Sequence, residues 1–273
     1  MRIAITGAKG FLGTQLCSRL GLEHDIAPLD LPDWDLLGPQ KDEIEACDAI
    51  VHAAAVPDVV GLDPKRTWAV NVDGTRALLD AAPHVKSFVF ISSSCVYGDD
   101  GAAAEGEREI APCSLYGASK IAGEALVSAW AAGSGSRWSA LRPCAIYGPR
   151  YARGHVKDFA DRYKRDGRVT AFDNGAQRKM GVHVADVADA VGILLHNGAG
   201  PYNIAGELWS WEDTAKVMGI YVSPGASERG FLGDAIRTTG IECSRLRRLG
   251  WMPRRAVEQG VREALESIGW VWP

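Results

Sequence analysis

Short apolar runs alternate along the first half of the chain with stretches in which apolar positions return every three or four residues. Ile3 to Thr6, Ile26 to Leu29, Ala49 to His52, Phe88 to Ser92 and Ser139 to Leu141 read as buried strands. Helical spacing marks Phe11 to Leu20, Arg66 to Ala82 and Tyr116 to Ala132. Strands joined by helical crossovers lie parallel, so the pattern predicts an α/β fold on a Rossmann-like, doubly wound parallel sheet. After Pro149 the regularity gives way to short helices, isolated strands and Gly/Pro loops, with breaks near Gly198 to Gly200 and Gly225 to Gly233. Residues 1–149 are expected to form one sheet-based domain, and 150–273 mainly a smaller C-terminal lobe, with about 182–205 returning to the first domain.

Composition narrows the classes of function. A chain of 273 residues, 47% hydrophobic, buries a sizeable core. Its net charge of -4 offers polyanions no general attraction, so no nucleic-acid partner is expected. The apolar start before Gly7 is too short for a signal sequence, and no later run approaches the roughly 18 apolar residues of a membrane span. A cytoplasmic location without membrane association is the expectation. The six cysteines lie far apart, with no Cys-x-x-Cys and no paired histidines, which fits a reduced setting and predicts no metal site.

The first candidate chemistry lies where the first strand meets the first helix, at Thr6-Gly7-Ala8-Lys9-Gly10-Phe11-Leu12-Gly13. Gly7 permits a tight turn, Gly10 lets backbone approach a pyrophosphate, and Gly13 lets the helix pack closely on the strand. Phe11 and Leu12 open the helix, whose N–H groups and dipole hold an anion. Residues 1–149 thereby become a dinucleotide-binding domain and the second lobe a substrate-binding one. Asp30, ending the second strand, would accept hydrogen bonds from an adenosine ribose and repel a 2'-phosphate, favouring NAD over NADP. Lys9 argues the other way, since a cation there could pair with that phosphate. Asp30 could instead cap the turn Asp30-Leu31-Pro32-Asp33.

The second lies at Tyr116-Gly117-Ala118-Ser119-Lys120, where the i,i+4 spacing puts phenol and ammonium on one helix face. A neighbouring cation favours the phenolate, which makes Tyr116 a candidate general acid or base. Ser93 follows a strand in Ile91-Ser92-Ser93-Ser94-Cys95, on the sheet edge where ligands of such folds collect, and its hydroxyl could hold the reacting oxygen.

With these residues the sequence resembles the extended short-chain dehydrogenase/reductase family, in the NAD-dependent epimerase/dehydratase branch acting on nucleotide sugars. The resemblance also runs through Asp35-Leu36, His52-Ala53-Ala54-Ala55, Asn71-Val72-Asp73-Gly74-Thr75, Arg142-Pro143, Ile146-Tyr147-Gly148-Pro149, Arg178, His183-Val184-Ala185-Asp186 and Tyr202-Asn203-Ile204. It implies that Asp35 and Leu36 contact adenine and that Ala53, Ala54, Ala55 and Pro143 line the cofactor. Tyr116 and Lys120 would bind the nicotinamide ribose and act with Ser93 in catalysis. Ser93, Ser94, Tyr116 and Arg178 would meet the substrate, Arg178 through its diphosphate. The helices over 66–82 and 116–132 would pair across a homodimer. Two departures stand out: Ser94-Cys95 replaces the Asp-Glu pair of sugar-nucleotide dehydratases, and Ala145 replaces a common substrate-binding Asn. Dehydration is therefore not expected, and the chain's length suggests a trimmed substrate lobe and a smaller substrate.

The leading expectation is an epimerase that passes through a transient ketone without net oxidation. The alternatives are a net sugar or uronate dehydrogenase or a ketosugar reductase using the same residues, and a non-catalytic dinucleotide sensor.

Overall fold

The structure, a computed structural model, describes residues 1–38, 41–98, 101–103, 110–150, 155–171, 178–224 and 238–273. The Gly225 to Gly233 break expected from sequence lies outside them, as do the residues just before Arg178. The first half runs β1 (Arg2–Thr6), α1 (Phe11–Leu20), β2 (Asp25–Leu29), α2 (Lys41–Glu45), β3 (Ala49–His52), α3 (Pro64–Trp68), α4 (Gly74–Asp80), β4 (Ser87–Ile91), β5 (Gly101–Ala103), α5 (Leu115–Ser134) and β6 (Arg137–Pro143). The second runs β7 (Ala145–Tyr147), α6 (His155–Asp166), β8 (Val169–Ala171), β9 (Arg178–His183), α7 (Val184–Asn197), β10 (Gly200–Ile204), β11 (Leu208–Ser210), α8 (Trp211–Met218), β12 (Val222–Pro224), β13 (Thr238–Ile241), α9 (Ser244–Arg248) and α10 (Val257–Ser267).

Six strands form one sheet in the order β10-β6-β4-β3-β1-β2, parallel throughout. Successive strand residues face opposite layers, and both layers are apolar, which is why these strands carry no polar alternation. Ile3, Ile5, Val51 and Val89 pack with Leu16 of α1 and Val187, Val191 and Leu194 of α7. Ala4, Ile50, Phe88 and Phe90 pack on the other side with Leu78 of α4 and Val127 of α5. The chain crosses over β1 between β2 and β3, so a crevice opens at the carboxyl ends of the strands, the position in which such sheets bind ligands.

Residues beyond Pro149 contribute to two regions. The segment α7–β10 joins the main sheet. Helices α6, α8 and α10 enclose a separate apolar cluster around Phe159, Trp211, Met218, Leu265 and Trp270. A second, three-stranded sheet pairs β11, β9 and β7 in that order.

One element differs from the expected pattern. The helix expected over 66–82 is interrupted by a π turn at Ala69–Asp73, in which the Gly74 N–H reaches back to the Ala69 carbonyl. The inserted residue is accommodated around Asn71, whose side chain is buried and turned to the neighbouring loop.

Phe88 is fully buried and packs on Trp130 at a centroid separation of 5.6 Å. Phe88→Ala is expected to remove about 3–5 kcal/mol of stability, read as a lower urea midpoint.

Candidate active site

The glycine loop folds against the end of β3. Gly7 has φ of 70°, and its N–H donates to the Leu29 carbonyl at 2.9 Å. A Cβ there would lie 2.8 Å from Ala54 N, and one at Gly13 would lie 1.9 Å from the Gly7 carbonyl oxygen. Both positions exclude any side chain. Gly10 caps α1 without a side-chain hydrogen bond, and the positive end of the helix lies at the carboxyl end of β1. Across the loop, Ala53 N donates to the Thr6 carbonyl and Ala54 N to Thr6 Oγ1, each at 3.2 Å, and Ala53, Ala54 and Ala55 are half-buried. Backbone thus packs on backbone with no space for a Cβ, leaving main-chain N–H groups and the start of α1 at the strand ends, a donor set that fits a pyrophosphate.

Asp30 caps the turn that follows β2. Its Oδ1 accepts from Leu31 N, closing the turn, and its Oδ2 accepts from Lys9 N, each at 2.8 Å. A carboxylate has about four lone-pair sites, which leaves acceptor capacity for ribose hydroxyls. The Lys9 ammonium is engaged by Asp33 at 2.6 Å and by the Leu31 carbonyl at 3.0 Å. That hydrogen bond holds the Asp33 carboxyl below its usual range. Asp30, Asp33 and Asp35 together outnumber the one lysine, a charge balance that disfavours a 2'-phosphate. Asp35 is exposed and accepts from Leu37 N, Leu36 is buried against Gly74 of α4, and Pro143 is buried at the end of β6.

The second group converges at the end of β4. Ser93 is the cap of a short 3-10 turn, Ser94–Tyr97, and its Oγ accepts from Cys95 N at 3.2 Å. Tyr116 lies in the first turn of α5, which Ser114 caps by accepting from Gly117 N. Gly117 lets that turn close on the serine segment, since a Cβ there would stand 2.5 Å from the Cys95 carbonyl oxygen. One turn on, Lys120 is 3% exposed; its Nζ donates to the Ile91 carbonyl at 2.8 Å and lies 5.7 Å from the centroid of the Tyr116 ring. Ser93, Tyr116 and Lys120 are thus gathered on one sheet edge. Burial pushes the Lys120 pKa down to about 8, against the opposing pull of Glu124.

Glu124 belongs to a network that sequence reading missed. It accepts from Ser92 Oγ at 2.5 Å and from Arg142 Nε and Nη2 at 2.8 and 2.5 Å. Arg142 Nη1 donates to the Tyr97 hydroxyl, which donates to Asn203 Oδ1. The signal was an acid one helical turn beyond Lys120 on a face otherwise destined for the core. The network ties β4, α5, β6 and β10 together beneath the site.

Arg178 opens β9 exposed, with Asp213 within electrostatic reach. The adjacent Lys179 instead acts on Cys95, whose thiol is pushed up by burial while Ser93 and the Lys179 charge pull it back. Strand alternation sends the two side chains to opposite faces of β9. Ser94 is buried in that turn.

A main-chain cradle beside a Tyr-x-x-x-Lys pair with half-buried Tyr116 and buried Lys120, at the strand ends of a parallel sheet, defines an enzyme of the short-chain dehydrogenase/reductase class. The model of the NAD dependent epimerase/dehydratase family matches residues 3–205, and the chain belongs to that family. Similarity extends to a dTDP-4-dehydrorhamnose reductase of Mycobacterium tuberculosis, 32% identical over 72% of this chain and 66% of that protein. A UDP-glucose 4-epimerase of Thermus thermophilus, solved with NAD, is 26% identical with a TM-score of 0.84 over 98% of this chain and 99% of the other. A UDP-glucuronic acid 4-epimerase of Bacillus cereus has the same fold at 24% identity, with a TM-score of 0.86 and the same coverage. Among the described residues no helix is long and apolar enough to cross a membrane, and no cluster of metal ligands occurs.

Two outcomes follow from the buried charges. Arg142→Leu leaves Glu124 ionised without its partner and is expected to cost about 3–5 kcal/mol in denaturant unfolding. Lys120 has a folded pKa near 8, below its usual 10.5, so its contribution to stability is full above 10.5 and lost as pH falls through 8. Lys120→Met should therefore melt higher than the wild type at neutral pH, by a margin that shrinks as the pH is raised past 8. A margin independent of pH would contradict the assignment.

Proposed function

We propose that the protein is an NAD-dependent epimerase of a nucleotide sugar. Bound NAD supplies the acceptance and return of a hydride at one sugar carbon. Tyr116 Oη takes the proton of the reacting hydroxyl as the hydride leaves, and gives it back when the ketone is reduced on its opposite face. Lys120 favours the phenolate by its charge, and Ser93 Oγ holds the reacting oxygen. Ala53, Ala54 and Ala55 line the cofactor with the glycine loop, and Asp30 and Asp35 meet its adenosine portion. Arg178, and Lys179 whose charge acts on Cys95 of the serine turn, are the cations available for an anionic group of the substrate. The observation that carries this reading is Lys120 fixed between the Ile91 carbonyl and the Tyr116 ring at the crevice. Elimination is disfavoured because Cys95, a buried thiol with raised pKa, stands where an acid would have to work. The domain division at Pro149 and a homodimer formed through α4 and α5 belong to the same reading.

The 32% identical reductase favours a second reading, net reduction of a ketosugar with exchangeable cofactor. Retained NAD and interconversion of UDP-glucose with UDP-galactose, or of the corresponding uronates, support epimerisation; stoichiometric loss of nicotinamide absorbance supports reduction. In either case Tyr116→Phe is expected to lower kcat by about 10²–10⁴-fold with NAD affinity nearly unchanged. A variant retaining full turnover would overturn both readings.

A further inference from the structure

His52 is a buried histidine, 1% exposed, that takes no part in the chemistry above. It ends β3, immediately before the alanines that face the glycine loop. Its Nδ1 lies 2.6 Å from Thr6 Oγ1, and its Nε2 lies 3.0 Å from Thr75 Oγ1. The Thr75 hydroxyl donates to the Asn71 carbonyl at 2.7 Å, so it has no proton left for the ring, and Nε2–H must donate to it. The ring is neutral: burial and the Lys120 charge push its pKa down to about 3. Nδ1 is therefore an acceptor and the Thr6 hydroxyl its donor, while Thr6 Oγ1 accepts from Ala54 N. Beyond Thr75, the Asn71 side chain donates to Ser119 Oγ at 3.0 Å, and Ser119 donates to the Tyr116 carbonyl at 2.7 Å.

We propose that His52 is a positioning residue that joins the dinucleotide cradle to the turn carrying Tyr116, with one ring nitrogen serving each side. The Nδ1 arm fixes Thr6 and Ala54 against the glycine loop. The Nε2 arm fixes Thr75 and the π turn, and through Asn71 and Ser119 the start of α5. The inference rests on the catalytic reading of Tyr116 but separates into two arms that can be measured independently.

Two substitutions divide the arms, because the Asn amide oxygen occupies the place of Nδ1 and the Gln amide nitrogen that of Nε2. His52→Gln keeps the bond to Thr75 and loses that to Thr6; NADH affinity, read by fluorescence titration, should fall about three- to tenfold with kcat little changed. His52→Asn keeps Thr6 and loses Thr75; kcat should fall about three- to tenfold with NADH affinity little changed. Thr75→Val should reproduce the His52→Asn effect and add little to it in the double variant. Ionisation of Tyr116, read as the ultraviolet difference between each protein and its Tyr116→Phe counterpart, should shift in His52→Asn and not in His52→Gln. Neither this readout nor NADH titration needs a sugar, so a wrong substrate assignment leaves the test intact. Equal losses of affinity and of kcat in both variants, or no change in any readout, would overturn the proposal.

Discussion

The ammonium of Lys120 is the charge around which the rest of this structure is arranged. It sits beneath the Tyr116 ring in an apolar layer that would ordinarily expel it, held by one carbonyl at the end of β4 and by the field of Glu124 one turn away. Glu124 in turn needs the Arg142 guanidinium, because a lone buried carboxylate would be more costly than the lysine it serves. Arg142 is anchored through Tyr97 to Asn203 on the sheet's edge strand. One cation at the crevice therefore requires matched polar groups on three strands and a helix, and their fixed positions are what make a charged active-site floor compatible with a closely packed sheet.

The opposite half of the crevice is built on another principle. There the groups offered to a ligand would be backbone N–H groups and a helix end, brought together by glycines whose missing side chains let loop, strand and helix close on one another. No charged side chain is needed to hold an anion, and the acids around Asp30 can then select among nucleotides by repulsion. On the proposed reading, affinity and selectivity would reside in different atoms of the same short segment.

Much of this was legible in the sequence. The strands declared themselves because both faces of a parallel sheet are covered, leaving runs such as Ala49 to His52 with no exposed side. Tyr116 and Lys120 could be paired because four residues make one helical turn. The π turn at Asn71 escaped notice, since an extra residue in one turn barely disturbs helical spacing. The Glu124–Arg142 pair escaped because the two residues lie on different elements whose juxtaposition depends on strand order. Arg178 and Lys179 show the limit most sharply: which face of β9 each of two adjacent cations takes depends on the phase of a strand, and phase is set by pairing with neighbours rather than by either residue.

A site assembled this way divides the labour of evolution along the chain. The cradle is drawn mainly in main chain, so most side-chain changes in the first half leave its outline intact. The surfaces that would touch a sugar are borne by strand ends and by the sheet containing β9, where a single reversed side chain changes both charge and shape. Such a protein can drift toward a new substrate through its second half while its grip on a dinucleotide stays untouched, which makes the glycine loop a poor guide to what any one member of the family transforms.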